Sequence, residues 1–408
     1  MKERPDLVTD ACPKGLEVFQ LTTEELPSSH IYMEAQVFTP DSSRLILHRS
    51  AHAHGSDSHD LEHKLLVCDL ENDGELAPIT EELGATAPSV SPDGKTLYYF
   101  IDDTQIGSGT LSLKSVNLDG TNRRTLLVID GPIPGTDFRL SRPYGLSTIS
   151  SDGKRLAISA FLGNGENKNP PWGLLVFDLE KLNFDLIIKG QTWCNVHPQY
   201  SRSLDHDQSH DIMIQENHGN ICSPTGEIVK LTGGKGADIH VIRDDGTNLR
   251  DMPWGRDGNE FCQGHQCWIG RSNMAISTTR TRNPQSARII GGYTVPHAGH
   301  LGIKTPKGIR NDLSRTIPHP DFDHFATDIE GTFFISDAGP RNRGGSIYIA
   351  ELPDNDTHPL KNVRFLVSPR SSWEKTTHIH PFLSPDGKTG FFNSDESGVL
   401  QAYMVQGW

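Results

Sequence analysis

The chain has 408 residues, of which 35% are hydrophobic and 22% are charged, so it can bury a core but has no run of about 18 apolar residues that could span a membrane. The 52 acidic residues outnumber the 38 basic ones and leave a net charge of −14. Because binding to a phosphate backbone needs a basic surface, this balance argues against nucleic acid as a partner.

The N-terminus and the cysteines favour a cytoplasmic protein. The first residues, Met1–Asp6, are charged and are not followed by the apolar segment of a secretory signal. The six cysteines are scattered along the chain, which argues against a disulfide framework. We therefore expect a reducing compartment and no membrane partner.

A turn motif recurs along the chain. Its full form is Ser-Pro-Asp-Gly-Lys followed by an apolar or β-branched run, and degenerate forms occupy the same place in other copies. Proline presets φ and glycine accepts a positive φ, so such a segment between short apolar runs predicts a β-hairpin. Seven copies, roughly 50 to 70 residues apart, are found at Thr39–Asp41, Ser91–Lys95, Ser151–Lys154, Ser201–Ser203, Gly270–Asn273, Ile329–Gly331 and Ser384–Lys388.

This period predicts an all-β fold, a seven-bladed β-propeller with four-stranded blades that forms a single domain over residues 1–408. No long segment with helical periodicity competes with this interpretation. A ring of blades has to be closed, and the segment Leu16–Leu21 precedes the first turn copy. We expect it to supply the outer strand of the last blade, because that pairing removes an open sheet edge.

The 19 histidines are not placed at random with respect to the turns. In a propeller, the strand ahead of each turn lines the central channel. Six residues before the turn aspartate or its equivalent, the first three copies have Ala35, Ala87 and Leu146, and the last four have His197, His265, His324 and His380. His378 lies two residues before His380, so both side chains are predicted to lie on one face of a strand.

Neutral imidazoles from neighbouring blades at one level of a channel predict a divalent metal site, since imidazole is the commonest metal ligand. A histidine outside the coordination sphere can then act as a general base. The alternative is that these imidazoles fill the channel and pair with carbonyl groups. Metal and base together on a polar channel indicate chemistry on a polar substrate.

Other residues are candidates for substrate contact or for loops over the channel. Arg142 and Tyr144 lie in the channel strand of the third copy and are candidate sugar contacts. The histidine-rich segment 48–63 contains interleaved Ser, Asp and Gly, which favours a solvated loop, with a loop over the channel mouth or a second metal-binding tract as alternatives. The Gly- and Pro-rich insertion 290–307, with His297 and His300, is a candidate lid.

The motifs, in the order in which they follow one another along the chain, resemble those of the oligogalacturonate lyases, a family of seven-bladed propeller enzymes of pectin degradation. The resemblance covers most of the chain and is strongest in its second half. The segments that carry it are Trp193–Pro198, Asp245–Asn248, His265–Trp268, His324 with Asp328–Gly331, Ser372–Trp373, His378–Pro381 and Ser394–Asp395.

The resemblance implies a divalent cofactor, manganese in the usual account of the family. It implies metal binding by His324, His378 and His380 and a base role for His265. Two positions depart from the family. Its metal-binding glutamine falls at Lys375, whose ammonium has no lone pair while protonated. Its catalytic arginine falls near Asp238, with Lys235 the closest upstream cation.

The activity that the resemblance implies is metal-assisted β-elimination on a small acidic oligosaccharide built of uronic acids. Candidates for contacting the substrate carboxylate are Lys375, Lys235, Arg280 and Arg282, with His197 as an auxiliary residue. One alternative is a lyase or epimerase acting on a different uronic-acid glycoside. Another is a non-catalytic propeller that serves as a binding or scaffold protein. A peptidase-type hydrolase is disfavoured, because the sequence has no G-x-S-x-G motif.

Overall fold

The computed structural model describes residues 1–168, 170–231, 236–255, 259–282, 285–299, 308–315, 321–354 and 358–408. Within these ranges the chain is built from strands and four short 3₁₀ helices, which are Pro5–Leu7, Gln191–Trp193, Gln208–His210 and Arg341–Arg343. Among the described residues, no helix has the length and apolar character needed to cross a bilayer. All six cysteines are free thiols.

The strands follow one another with short connections. In the first half they are β1 (Lys2–Glu3), β2 (Glu17–Gln20), β3 (Ser28–His30), β4 (Arg44–Arg49), β5 (Lys64–Asp69), β6 (Glu75–Pro78), β7 (Ala85–Val90), β8 (Thr96–Gln105), β9 (Ser108–Asn117), β10 (Arg124–Ile129), β11 (Arg142–Ile149), β12 (Arg155–Phe161), β13 (Trp172–Asp178), β14 (Asn183–Gly190), β15 (Gln199–Tyr200) and β16 (Asp211–Asn217). In the second half they are β17 (Ile221–Cys222), β18 (Ile228–Lys230), β19 (Ala237–Arg243), β20 (Arg250–Asp251), β21 (Glu260–Trp268), β22 (Ala275–Arg282), β23 (Gln285–Gly292), β24 (Val295–Pro296), β25 (Arg310–Asp312), β26 (Phe322–Thr327), β27 (Phe333–Ala338), β28 (Ser346–Glu351), β29 (Lys361–Val367), β30 (Phe382–Leu383), β31 (Thr389–Ser394) and β32 (Gln401–Gln406).

These strands form antiparallel sheets. Four sheets contain four consecutive strands each: β3 to β6, β7 to β10, β11 to β14 and β26 to β29. A larger sheet of nine strands runs in the order β15, β16, β19, β21, β22, β23 and β25, with β20 and β24 at its side, and β17 pairs with β18 separately. The first strands of successive sheets pack against each other, as β7 does against β11 and β26 against β30, so the sheets are arranged in a propeller-like way.

The chain closes on itself as the sequence predicted. The strand β2 pairs with β32, so the N-terminal segment lies at the outer side of the sheet formed by β30, β31 and β32. The contact extends to side chains, because Arg4 donates to Gln20 at 3.1 Å and also contacts Glu396. The two ends of the chain therefore stabilise one sheet together.

The recurrent turn is closed by its own side chains. The Ser91 hydroxyl donates to Asp93 Oδ1 at 2.6 Å and accepts the Thr96 amide at 3.0 Å. Gly94 has a φ of 71°, a conformation that favours glycine. The same serine–aspartate bond recurs at Ser150 with Asp152 and at Ser384 with Asp386. These local bonds explain why the turns could be located from sequence.

Candidate functional site: a histidine cluster in the channel

The inner strands are irregular at the channel position predicted from the turns, which lies six residues before the turn aspartate or its equivalent. We call this position the channel register. Pairing shifts register across this position in four inner strands: between Thr86 and Ser89, Pro143 and Ser147, Cys262 and Gln266, and Phe322 and Phe325. In two other copies the histidine has a positive φ, 48° at His197 and 45° at His380. Bulges and left-handed residues redirect a side chain relative to its strand. The histidines of this register are thereby brought together.

Four imidazole rings meet at the centre of this register. The ring centroids of His324 and His380 are 4.5 Å apart, those of His378 and His380 5.0 Å, and those of His324 and His378 5.3 Å. The fourth ring is that of His54, whose centroid lies 4.8 Å from His380 and 5.4 Å from His378. Nδ1 of His378 is 3.2 Å from Nε2 of His380. We call these four residues the histidine cluster.

Burial and mutual repulsion favour the neutral form of the histidine cluster. Burial, followed by repulsion from the neighbouring histidines, lowers the pKa of His54, His324 and His378 to about 3 each and moves the pKa of His380 well below its usual value. Neutral imidazoles present nitrogen lone pairs. Nδ1 of His380 is buried and finds no hydrogen-bond partner in the part of the chain that the structure describes. An unpaired buried nitrogen beside other imidazoles fits the donor set of a divalent transition metal.

A buried carboxyl orients one member of the cluster. Asp337 accepts the His324 backbone amide at 2.8 Å, and its other oxygen lies 3.0 Å from Nδ1 of His324. Burial and the charge of Asp323 raise the pKa of Asp337 well above its usual value. Because the carboxyl holds Nδ1, Nε2 of His324 is left for the cluster. A carboxyl on the far nitrogen of a histidine is typical of metal sites.

His265 lies beside the cluster with a different electrostatic environment. Its ring centroid is 4.4 Å from that of His324, and its Nδ1 is 2.9 Å from the carbonyl oxygen and 3.1 Å from Oδ1 of Asp323. Burial alone would lower the pKa of His265, but the hydrogen bond and the charge of Asp323 outweigh it, and the pKa is raised. A histidine of raised pKa next to neutral ones suits proton transfer.

One cation next to His265 was not anticipated. Arg341 Nη2 donates to Asp323 Oδ2 at 2.7 Å, and its guanidinium lies 5.0 Å from the centroid of the Trp373 ring. Its side chain is 58% exposed, so it can still reach an anionic ligand. Arg341 follows a strand end without any motif around it, so the sequence offered no signal for this role.

His197 and Tyr144 form the adjoining wall of the channel. The Tyr144 hydroxyl lies 3.2 Å from Nε2 of His197 and donates to Asn195 at 2.6 Å. Nδ1 of His197 is 2.9 Å from Glu34, whose pKa is raised by burial against the opposing charge of His197. The Tyr32 ring joins the two groups, 5.1 Å from His197 and 4.6 Å from His380. Both predicted residues are thus near the cluster.

The other predicted cations have contacts of different kinds. Lys375 is an exposed residue of the turn before His378, and its charge contributes to the lowered pKa of His54. Arg142 donates to the Gly226 carbonyl, Arg280 pairs with Asp321 at 3.7 Å, and Arg282 lies 5.0 Å from the Phe261 ring centroid. Lys235 lies outside the described residues. The three arginines therefore contact partners other than the histidine cluster.

The histidine-rich segment 48–63 covers the cluster. Its outer residues are exposed, as expected for a solvated loop. His48, Ala53 and His63 are nevertheless buried, and His54 is half-buried within the cluster. The density of histidines was the available signal for His54. Of the candidate lid at 290–307, residues 290–299 are described, and His297 contacts Asp251 there; His300 lies outside the described residues.

Two further features lie apart from the cluster. A cavity of about 350 Å³ at the turn-bearing side is lined mainly by apolar residues together with Arg202, and it contains none of the cluster histidines. Asp251 accepts from His240 at 2.8 Å and from His297 at 2.7 Å, and His240 also contacts Glu216 at 3.2 Å. These short bonds are those of an ion-pair network.

The fold and the cluster define an all-β, propeller-like protein with a polyhistidine centre in its channel. The sequence is 21% identical to an oligogalacturonide lyase of Pectobacterium atrosepticum over 426 residues, which cover 96% of this chain and 93% of the relative. A scan against protein-family models found no match.

Two solved structures share the fold over the whole of this chain. One is an oligogalacturonate lyase in complex with manganese, with a TM-score of 0.71, 19% identity and 96% of its length covered. The other is an oligogalacturonate lyase from Vibrio parahaemolyticus, with a TM-score of 0.70, 16% identity and 97% covered. The chain is similar to these lyases in sequence and in fold, which confirms the resemblance found in its motifs.

Proposed function

We propose that this protein is a lyase that cleaves short uronic-acid oligosaccharides by β-elimination, with the histidine cluster holding a divalent metal ion. The observation that carries the proposal is the convergence of His324, His378 and His380 as neutral rings beside His265, whose pKa is raised. The homology to oligogalacturonide lyases supports the substrate class.

The reaction removes the weakly acidic proton at C5 of a uronide, and the C4–O4 bond breaks as a C4=C5 double bond forms. The departing oxygen takes up a proton from solvent or from the protonated base and leaves as an alcohol. A metal ion bound by His324, His378 and His380 would neutralise the adjacent carboxylate and so make that proton more acidic. His265 accepts the proton on Nε2, since its Nδ1 is engaged by Asp323. Asp323 stabilises the imidazolium that forms, and Arg341 binds a substrate carboxylate from the exposed side.

We propose further residue roles at the channel wall. His197 and Tyr144 contact the sugar hydroxyl groups, because their polar atoms line the wall next to the cluster. Lys375 and Lys235 add positive charge to an anionic substrate, and Arg142, Arg280 and Arg282 serve the outer sugar units. Manganese is the expected ion, by analogy with the homologous structure that contains it.

The architecture is proposed to be a single seven-bladed propeller over residues 1–408. The nine-stranded sheet divides into β15, β16, β19 and β20 on one side and β21 to β25 on the other, and among the described residues the two parts meet at only three residue pairs: Ala237 with Cys262, Arg250 with Pro296 and Asp251 with Val295. Counting these parts as two blades, together with the four four-stranded sheets and the closing sheet, yields seven.

The test uses the ultraviolet absorbance of the unsaturated product on several uronide oligosaccharides. We expect activity that EDTA abolishes and added Mn²⁺ restores. His265→Ala should lower kcat by about 10²- to 10⁴-fold, which is the usual contribution of a general base, while metal binding is retained. His206→Ala, at a side chain that is 91% exposed, is the matched control. Full activity of His265→Ala, or no unsaturated product from any uronide, would refute the proposal.

A further inference from the structure

The loop between β4 and β5, residues 50–63, places the imidazole of His54 in the channel. His54 lies near the start of the sequence, whereas His378 and His380 lie near its end. One ligand nitrogen each of His54, His378 and His380 can be chosen so that all three lie within 4.8 Å of one another. Two metal–nitrogen bonds of about 2.0 to 2.1 Å place their donors at most about 4.2 Å apart, so a small inward shift of the rings would bring these three nitrogens onto a single ion.

The loop is held in place by backbone and side-chain bonds. Ala53 donates its amide to the Thr376 carbonyl at 2.9 Å, which ties the residue before His54 to the turn before His378. Asp57 accepts the Ala51 amide at 2.8 Å and also contacts the Ser50 hydroxyl and, at 3.2 Å, the ring of His63. At the far side, His59 contacts the Asp102 carbonyl at 2.7 Å. The position of His54 is therefore preorganised.

The surroundings of His54 contain rings rather than hydrogen-bond partners. Its ring contacts are Tyr32 at 5.7 Å, His378 at 5.4 Å and His380 at 4.8 Å. Among the residues that the structure describes, its ring nitrogens receive no hydrogen bond or ion pair. The ring is only half-buried, so its nitrogen lone pair is accessible from the channel and can bind a cation there. Lys375, in the adjoining turn, has no lone pair to offer a metal ion while it is protonated, so it does not supply a further ligand.

We propose that His54 is a fourth protein ligand of the metal ion, so that the centre is an all-imidazole site made of His54, His324, His378 and His380. This inference rests on the proposed function only in that the same cluster holds a divalent ion. Its consequence concerns metal preference. Imidazole donors favour Zn²⁺, Co²⁺ and Ni²⁺ over Mn²⁺, which prefers oxygen ligands, so the site should bind Zn²⁺ and Co²⁺ more tightly than Mn²⁺.

The charge around such a site is consistent with a dication. Asp337 contacts Nδ1 of His324, Asp323 lies beside His265, and Glu34 lies behind His197. Asp323, which pairs with His265 and Arg341, supplies negative charge in the surrounding layer, whereas Asp337 and Glu34, whose pKa values are raised, hold the imidazoles by hydrogen bonds.

The experiment measures metal binding to the full chain after chelation. Affinities for Zn²⁺, Co²⁺ and Mn²⁺ are determined by competition, and the visible spectrum of the Co²⁺ form reports on its ligands. His54→Ala should weaken Zn²⁺ binding by more than the roughly 10- to 100-fold that loss of an outer-shell partner costs. It should also change the Co²⁺ spectrum. His54→Gln, which offers an amide oxygen, should shift the preference towards Mn²⁺.

His52→Ala, two residues earlier in the same loop, is the matched control and should bind metal like the unmodified protein. Melting of each metal-free variant separates a folding defect from a lost ligand. If His54→Ala binds Zn²⁺ and Co²⁺ unchanged while His324→Ala does not, His54 is no ligand and the metal centre of the proposed function stands. If the unmodified protein binds none of the three ions, this inference fails together with the metal part of the proposed function.

Discussion

Two carboxylates, Asp251 and Glu216, contact the two ring nitrogens of His240 and favour its protonated form. Asp251 lies 2.8 Å from Nδ1 and Glu216 lies 3.2 Å from Nε2, while Trp193 and His297 pack against the ring. Burial alone would lower the pKa of His240, yet Asp251 and Glu216 raise it from 6.5 to about 9. The side chain is only 2% exposed, so solvent screens these contacts little. The protonated form is the one that the fold stabilises.

This raised pKa predicts a pH dependence of stability. A histidine with a folded-state pKa above its unfolded value contributes its full stabilisation below about pH 6.5 and loses it as the pH rises through about 9. The contribution is up to about 3 kcal/mol. His240→Gln should therefore differ most from the unmodified protein near pH 6 in its free energy of unfolding, and the difference should shrink towards pH 9. Urea unfolding across that range measures it, with the exposed His206→Gln as control. A constant difference would contradict the assignment.

At the scale of single elements, the loop 50–63 brings the backbone of Gly55 close to the ring of His48. Gly55 has a φ of 60°, and a Cβ atom built on it would lie 2.5 Å from Nδ1 of the buried His48. Gly120 has a φ of 81° but meets nothing within 4 Å among the described residues. The two glycines thus share the left-handed conformation and differ in the space around them.

Replacing Gly55 and Gly120 by alanine separates the cost of backbone strain from the cost of steric conflict in the free energy of unfolding. Gly120→Ala should lower the free energy of unfolding by about 1 kcal/mol, the cost of a left-handed alanine. Gly55→Ala should cost at least about 1 kcal/mol more, since overpacking a buried site typically costs 1 to 3 kcal/mol. Urea unfolding measures both. Equal losses would mean that the loop moves away from His48 at no cost.

The same elements show how far the sequence could predict the site. The turns were predictable because a serine–aspartate bond such as Ser91–Asp93 closes within a few residues, and counting back from them located His265, His324 and His380. The placement of His54 could not be predicted, because it depends on the hydrogen bond between Ala53 and Thr376, which are more than 300 residues apart in the sequence. Carboxyl partners such as Asp337 give no local signal either, since acidic residues are frequent everywhere in this chain.

At the scale of the whole molecule, closure of the last sheet by β2 joins the two ends of the chain. Val18 is 1% exposed and pairs with Val405, whereas Val128 in the outer strand β10 is 50% exposed. Val128 lies in an edge strand, and Val18 lies in β2, which has only the two-residue strand β1 beyond it. They therefore form a matched pair that differs in burial and in whether the strand closes the molecule.

Val18→Ala should lower the free energy of unfolding by about 2 kcal/mol through lost burial and the cavity left behind, and Val128→Ala by less than about 0.5 kcal/mol.

The position of Val18 adds a second expectation. If closure makes the sheets unfold together, amide protons of β2 should exchange with the same free energy as those of β31 and β32, and Val18→Ala should lower all of them equally. Hydrogen exchange followed by mass spectrometry measures this. Faster exchange confined to β2 would show that the N-terminal strand opens alone and that the remaining sheets hold together without it.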